Sequence, residues 1–261
     1  MKRNYHTHHH LCNHAEGVTE DYIKEAIKQN FDILGMSDHA PNHRVKDINV
    51  RMDESELDIY LKDIESSQAK YGDKITILKG LEVEYFYNHD EYYKNLKEKT
   101  DYLIHGQHWV SMTESMNDLI SGFGLENKEH ILKYAEILKD AMESNNFDIM
   151  AHPDLYMCGY KDFDETALEV AHVICKAAID NDMVLEFNGN GFRRKKSETP
   201  QGILPPYPRL EFWEVVKSYN CKTILNSDCH SPGFLYDGII QEAEEVYKNL
   251  RLNDVGILKL K

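Results

Sequence analysis

Short apolar runs alternate along the chain with longer stretches of helical spacing. Residues 3–7, 32–37, 75–85, 102–107, 148–151, 183–188 and 222–226 read as strands. Between them lie helical patterns. Tyr22, Ile23, Ala26 and Ile27 share one face behind Thr19, a candidate N-cap, and Leu57, Tyr60, Leu61 and Ile64 share another behind Ser55. Residues 128–144, 165–181 and 208–219 repeat the spacing. Strands alternating with helices imply parallel strands joined by right-handed crossovers. Seven such units predict one α/β domain over residues 1–261, either a closed or nearly closed barrel or a doubly wound open sheet. The polar segments 40–54, 110–127 and 189–207 each follow a strand, on the face where barrel enzymes keep their sites.

Composition adds four points. The start, Met1-Lys2-Arg3-Asn4-Tyr5-His6, has no apolar run after its charges, so no signal peptide is expected. No stretch approaches the roughly 20 apolar residues that span a bilayer, so no membrane partner is expected. The five cysteines (Cys12, Cys158, Cys175, Cys221, Cys229) are scattered and form no C-x-x-C, as in a reducing, cytoplasmic setting. A net charge of −15 repels polynucleotide phosphate. It does not exclude a small phosphate substrate, because bound metals invert the local field.

The chain has fourteen histidines. Nearly every strand delivers an imidazole or a carboxylate at its C-terminal end: His6 and His8, Asp38 and His39, Glu82 and Glu84, His105 and His108, His152, Glu186, then Asp228 and His230. In a barrel those ends converge on one mouth. Strand side chains alternate with period two, so His6 and His8 point the same way, as do Asp228 and His230. Imidazole with carboxylate suits zinc, manganese or iron. Any one of these pairs alone is commonplace; the succession at seven strand ends is not explained by satisfied core histidines. His130 and His172 fall on helical patterns and read as packing or surface residues, and His89 sits in a polar turn. His9, His10 and His14 read as loop residues within reach of a substrate. The aromatic cluster around Tyr85, Phe86 and Tyr93 reads as packing.

These residues resemble a known family. His6-Thr7-His8 followed by Leu11-Cys12-x-His14-Ala15-Glu16-Gly17 is similar to the start of bacterial histidinol-phosphatases of the PHP (polymerase and histidinol phosphatase) superfamily. The resemblance continues through Ser37-Asp38-His39-Ala40-Pro41, Gly80-Leu81-Glu82, Gly106-Gln107-His108, His152-Pro153-Asp154-Leu155, Glu186-Phe187-Asn188 and Ser227-Asp228-Cys229-His230-Ser231-Pro232. It implies a distorted (β/α)7 TIM-like barrel holding three divalent metal ions. One ion would take His6, His8, Glu82 and Asp228. A second would take Glu82, His108 and His152. A third would take Glu16, His39 and His230. Glu84 competes with Glu82, and His105 with His108; the family blocks favour Glu82 and His108. Arg193 stands where the family places a phosphate-binding arginine, although the block Asn188-Gly189-Asn190-Gly191-Phe192-Arg193 departs from the pattern in its middle. Lys161, Tyr160 and His43 are further candidates to touch substrate.

The implied activity is hydrolysis of a small phosphate monoester, foremost L-histidinol phosphate. Closely spaced ions would supply the nucleophile, and Arg193 a bidentate clamp on the phosphoryl oxygens. Asp38, Asp154 and His43 are candidates for the leaving group's proton. Alternatives are a PHP phosphoesterase acting on phosphotyrosine or nucleotides, and a non-catalytic metal-binding scaffold. An amidohydrolase also opens with H-x-H, but no strand-end lysine suited to carbamylation is present.

Overall fold

The computed structural model describes residues 1–42, 44–45, 50–113, 118–199 and 202–260. Its centre is a parallel sheet of strands β1 (Arg3–Asn4), β2 (Ile33–Met36), β3 (Thr76–Val83), β4 (Tyr102–His105), β7 (Ile149–Met150), β8 (Val184–Asn188), β11 (Lys222–Asn226) and β12 (Asn253–Asp254), in that spatial order. The first seven fall where periodicity predicts them. The eighth, two residues long, pairs with β11. The sheet curls until a single parallel bridge, Thr7 to Cys229, brings its first strand beside β11. That contact sets His6 and His8 against Asp228. A second bridge, His39 to Glu82, carries β2 past its last ladder residue.

Helices α1 (Thr19–Lys28), α2 (Leu57–Tyr71), α3 (Asp90–Lys99), α4 (Lys128–Glu143), α5 (Glu165–Asp180), α6 (Leu210–Ser218) and α7 (Gly238–Leu250) cover the outside. In α4, Ile131, Tyr134, Ala135, Leu138 and Met142 are buried at helical spacing. Each large one contributes roughly 1.5–3 kcal/mol. The cap of α1 is Val18 rather than Thr19, which opens the helix; the Asp21 carboxylate reaches back to the Val18 N–H at 3.0 Å. Asp53, not Ser55, caps the turn before α2. Two helices, α3 and α7, lie outside the sequence expectation. α3 buries only Tyr93 and Leu96, too few positions to stand out as a stripe. The hairpins β5–β6 (Trp109–Ser111, Leu119–Ser121) and β9–β10 (Ser197–Thr199, Gly202–Leu204) are too short to show alternation.

Inside the curl, Tyr5, Tyr102, Ile104, Ile149, Ile224 and Leu258 form an apolar plug. The other end of the strands is lined with imidazoles and carboxylates. Among the described residues no helix is long and apolar enough to cross a membrane.

Candidate metal centre

Glu82, at the end of β3 and 2% exposed, is the hub. Its two carboxylate oxygens face five imidazoles: His6 Nε2 at 3.4 Å, His8 Nε2 at 3.5 Å, His39 Nδ1 at 3.0 Å, His108 Nε2 at 3.6 Å and His152 Nε2 at 3.0 Å. Asp228 Oδ1 lies 3.6 Å from His6 Nε2 and 3.1 Å from His8 Nε2. Four atoms of this knot are buried without a hydrogen-bond partner: His6 Nε2, His8 Nε2, Glu82 Oε2 and Asp228 Oδ1. Orphaned buried donors and acceptors are costly, and four aimed at one another are satisfied together by a cation. The donor set therefore fits a divalent metal, and nitrogen with oxygen donors suits zinc, manganese or iron.

The electrostatics agree. Burial alone would depress His6 and His8. For His6 the carboxylates Glu186, Asp228 and Glu82 outweigh it, and for His8 Asp228 and Asp38 do, so both stand well above the ordinary imidazole range. Burial pulls the other way on Glu82 and Asp228, yet the surrounding imidazoles hold both well below the usual carboxylate range. Burial, helped by positive neighbours, holds His39 well below its ordinary value and lowers His230 to about 3. Those two remain neutral, the form a metal takes.

An outer ring fixes these side chains. Glu186 Oε1 lies 2.8 Å from His6 Nδ1, which turns Nε2 inward. Glu186 is itself held by Asn226 Nδ2 at 2.9 Å and Asn188 Nδ2 at 2.8 Å. Asn188 and Asn190 donate to Asp228 Oδ2 at 3.1 and 3.4 Å, leaving Oδ1 for the centre. Two residues of the knot, His152 (φ 30°) and Asp228 (φ 46°), have left-handed backbone, a strain that occurs where surrounding structure fixes a working side chain.

The structure revises several sequence expectations. Asp38 does not reach the cavity. It is fully buried behind the centre, 3.3 Å from His8 Nδ1 and 2.5 Å from His9 Nδ1, and it accepts the His39 N–H at 2.8 Å. It orients imidazoles rather than donating a proton. Asp38→Asn is expected to weaken zinc binding about 10–100-fold, read by competition with a chromophoric chelator; affinity within twofold of the parent would sink that role. Arg193 turns away, forked onto Asp237 with both nitrogens at 2.8 Å. Arg194 lines the cavity instead, with its guanidinium carbon 4.7 Å above the Phe123 ring. Lys161 is exposed and Tyr160 donates to Asp164 at 2.7 Å; neither lines the cavity. Glu16 is exposed, its backbone N–H bonded to the His230 carbonyl at 2.8 Å. His14 stands against His230 in its place, Nε2 to Nε2 at 3.0 Å. His43 lies outside the described residues.

Of the two competitors, His105 is set in the core. Its ring nitrogens meet Met150 Sδ and Gln107 Oε1, both at 2.8 Å, and burial lowers it to about 3. Glu84 stands one step behind the centre, 2.8 Å from Arg51 and 3.6 Å from His108 Nδ1. Asp154 accepts from the Arg209 backbone and Trp213, away from the cavity.

The centre opens into a cavity of about 310 Å³. His39, Glu82, His108, His152, Asp228 and His230 line it. Arg51, Arg194, Trp109, Phe123 and Tyr207 complete the wall. The sequence offers no periodic signal for Arg51, Asn190 or Tyr207, since all three lie on connections rather than strands.

Comparison with known proteins agrees with this geometry. A probable histidinol-phosphatase of Deinococcus radiodurans is 24% identical over 260 residues, 92% of this chain and 92% of the relative. One from Schizosaccharomyces pombe is 26% identical over 246 residues, 85% of this chain and 78% of the relative. The crystal structure of the Lactococcus lactis histidinol phosphate phosphatase, complexed with zinc, L-histidinol and phosphate, superposes with a TM-score of 0.76 at 19% identity, covering 99% of this chain and 97% of that one. The fold, the donor set and the two histidinol-phosphatase relatives define a metal-dependent phosphatase. The chain belongs to the PHP domain family, whose model matches residues 4–190.

Proposed function

We propose that this phosphatase hydrolyses L-histidinol phosphate to L-histidinol and phosphate at a centre of three divalent ions. The observation that carries the metal centre is the knot of four unpartnered buried donors around Glu82, set at the floor of the cavity. The substrate reading rests on the histidinol-phosphatase relatives and on the Lactococcus enzyme with zinc, L-histidinol and phosphate bound.

His6, His8, Glu82 and Asp228 would hold one ion, and Glu82, His108 and His152 a second. His39 and His230 would hold the third, with Glu16 or the adjacent His14 completing it. Bound there, the ions supply Lewis-acid charge and an activated water. The protein's own groups do the rest. Glu186 and Asp38 keep the Nε2 atoms of His6 and His8 turned inward. Arg194 receives phosphoryl oxygens from the open side, a task for which a planar fork is suited. Arg51, fixed by Glu84, adds a second cation to the wall. Trp109, Phe123 and Tyr207 form a surface on which the substrate's imidazole can lie.

Phosphate release from L-histidinol phosphate, phosphotyrosine and a nucleoside monophosphate decides the substrate. The expected order places L-histidinol phosphate first in kcat/KM; a preference for either of the others would transfer the reading to that ester. The two arginines separate cleanly. Arg194→Ala is expected to raise KM about tenfold or more, the loss of one hydrogen-bonded charge contact. Arg193→Ala should leave KM unchanged and cost roughly 0.5–1 kcal/mol in urea unfolding. The reverse pattern would return the phosphate contact to Arg193.

A further inference from the structure

A second cavity, about 570 Å³, lies between β1, β11 and α7. It sits at the seam of the curled sheet, where β1 and β11 share no ladder among the described residues. Lys2, Arg3, Lys248 and Arg251 line it with Glu244 and Asp254. Both carboxylates are already engaged. Glu244 accepts from Lys248 at 3.0 Å and from the Tyr236 hydroxyl at 2.8 Å, and Asp254 pairs with Arg3. Lys2 Nζ donates to the Gln29 carbonyl, at 3.0 Å, and lies 3.2 Å from the Tyr236 ring centre and 4.5 Å from that of Phe31. Neither Lys2 nor Arg251 has a carboxylate at ion-pair distance among the described residues. Two cations without a paired carboxylate thus face one cavity of a chain whose net charge is −15, with Glu244 acting on Lys2 from beyond ion-pair distance. Behind them the wall is apolar, from buried Phe31, Leu235 and Ile240.

The wall is also mechanically close to the metal centre. Asn226 lines the cavity, and its Nδ2 donates to Glu186 Oε1, the oxygen that holds His6 Nδ1. Asn4 lines it too. It donates to the His6 carbonyl at 2.9 Å and accepts at 2.6 Å from the backbone of Ser227, the residue before Asp228.

We propose that the seam cavity binds a small organic anion with an apolar body, and that its occupancy is felt at His6 and Asp228 through Asn226 and Asn4. The anionic group meets Lys2 and Arg251, and the apolar body lies against Phe31 and Ile240. The second half rests on the metal role given above to His6 and Asp228.

The test uses the full chain and 8-anilinonaphthalene-1-sulfonate as the probe, followed by fluorescence. The parent is expected to bind it saturably, without displacement by excess inorganic phosphate, whose expected place is the cavity at the metal centre. The double variant Lys2→Gln with Arg251→Asn should bind roughly tenfold more weakly, as when charged contacts are removed. Asn suits the left-handed φ of 57° at position 251. Circular dichroism and basal phosphatase activity of the variant should match the parent. Zinc affinity, read by chelator competition, should shift about fivefold or more with probe in the parent and not in the variant. Probe binding that survives the double substitution, that is displaced by phosphate, or that falls instead in Arg194→Gln would overturn the site. Zinc affinity indifferent to the probe would overturn the coupling. Neither readout uses turnover, so an error in the substrate assignment would leave both intact.

Discussion

Glu82→Gln is expected to lower kcat/KM for phosphate monoester hydrolysis by about 10³-fold or more, with the fold retained. The glutamine keeps the size of the side chain and removes its charge. Five imidazole nitrogens lie within 3.6 Å of the Glu82 oxygens, and Glu82 is the one residue shared by the two proposed ion sets, that of His6 and that of His152. Among the described residues no other carboxylate is placed to substitute. Asp228 reaches only the His6–His8–His230 side, and Glu84 is turned to Arg51 and His108 Nδ1. Loss of charge neutralisation by bound ions is worth several kcal/mol, and about 1.4 kcal/mol is tenfold in rate. Bound zinc should fall in parallel, measured on the purified variant. Activity within tenfold of the parent, at normal circular dichroism, would remove Glu82 from the centre and with it the shared-carboxylate arrangement.

The second large effect is expected from one added methyl group. Gly106 follows β4, and its N–H bonds to the Val83 carbonyl at 3.1 Å. A Cβ there would meet Glu82 Oε1 at 1.9 Å and Cδ at 2.6 Å. A flexible carboxylate end on a surface would swing aside. Glu82 cannot do so, because imidazoles enclose it on both oxygens and it is buried. Gly106→Ala therefore either pushes Glu82 off the histidines or displaces β4 from β3. Overpacking of this kind costs about 1–3 kcal/mol. The expected result is a melting temperature lower by roughly 2–10 °C together with at least tenfold weaker zinc binding, about 1.4 kcal/mol. Wild-type melting and wild-type zinc affinity together would show that the neighbouring strands yield more easily than their packing implies.

The position of the centre was legible because period two is a local rule. His6 with His8 follows from the repeat of an extended chain, and the parallel sheet gathers strand ends without further information; Asp228 and His230 lie beyond β11, and the left-handed turn at Asp228, not strand alternation, sets them together. The seven strands of the barrel were legible for the same reason: each is a short apolar run between helical stripes. α3 was not, since a helix that buries two residues leaves no stripe to read.

The amino-acid sequence by itself determined the class of fold, the donor types and the strand ends from which most of them come. The tertiary structure alone decided the directions of side chains carried on connections. Arg193 and Arg194 are neighbours in sequence, yet the turn after β8 aims one at Asp237 and the other over Phe123. His14 faces His230, whereas Glu16 is exposed and meets His230 through its backbone N–H. Asp38 lies behind His8 because β2 stands beside β1 in the curled sheet. A strand's direction is set by its own repeat; a loop's is set by whatever it packs against, and that partner can lie two hundred residues away.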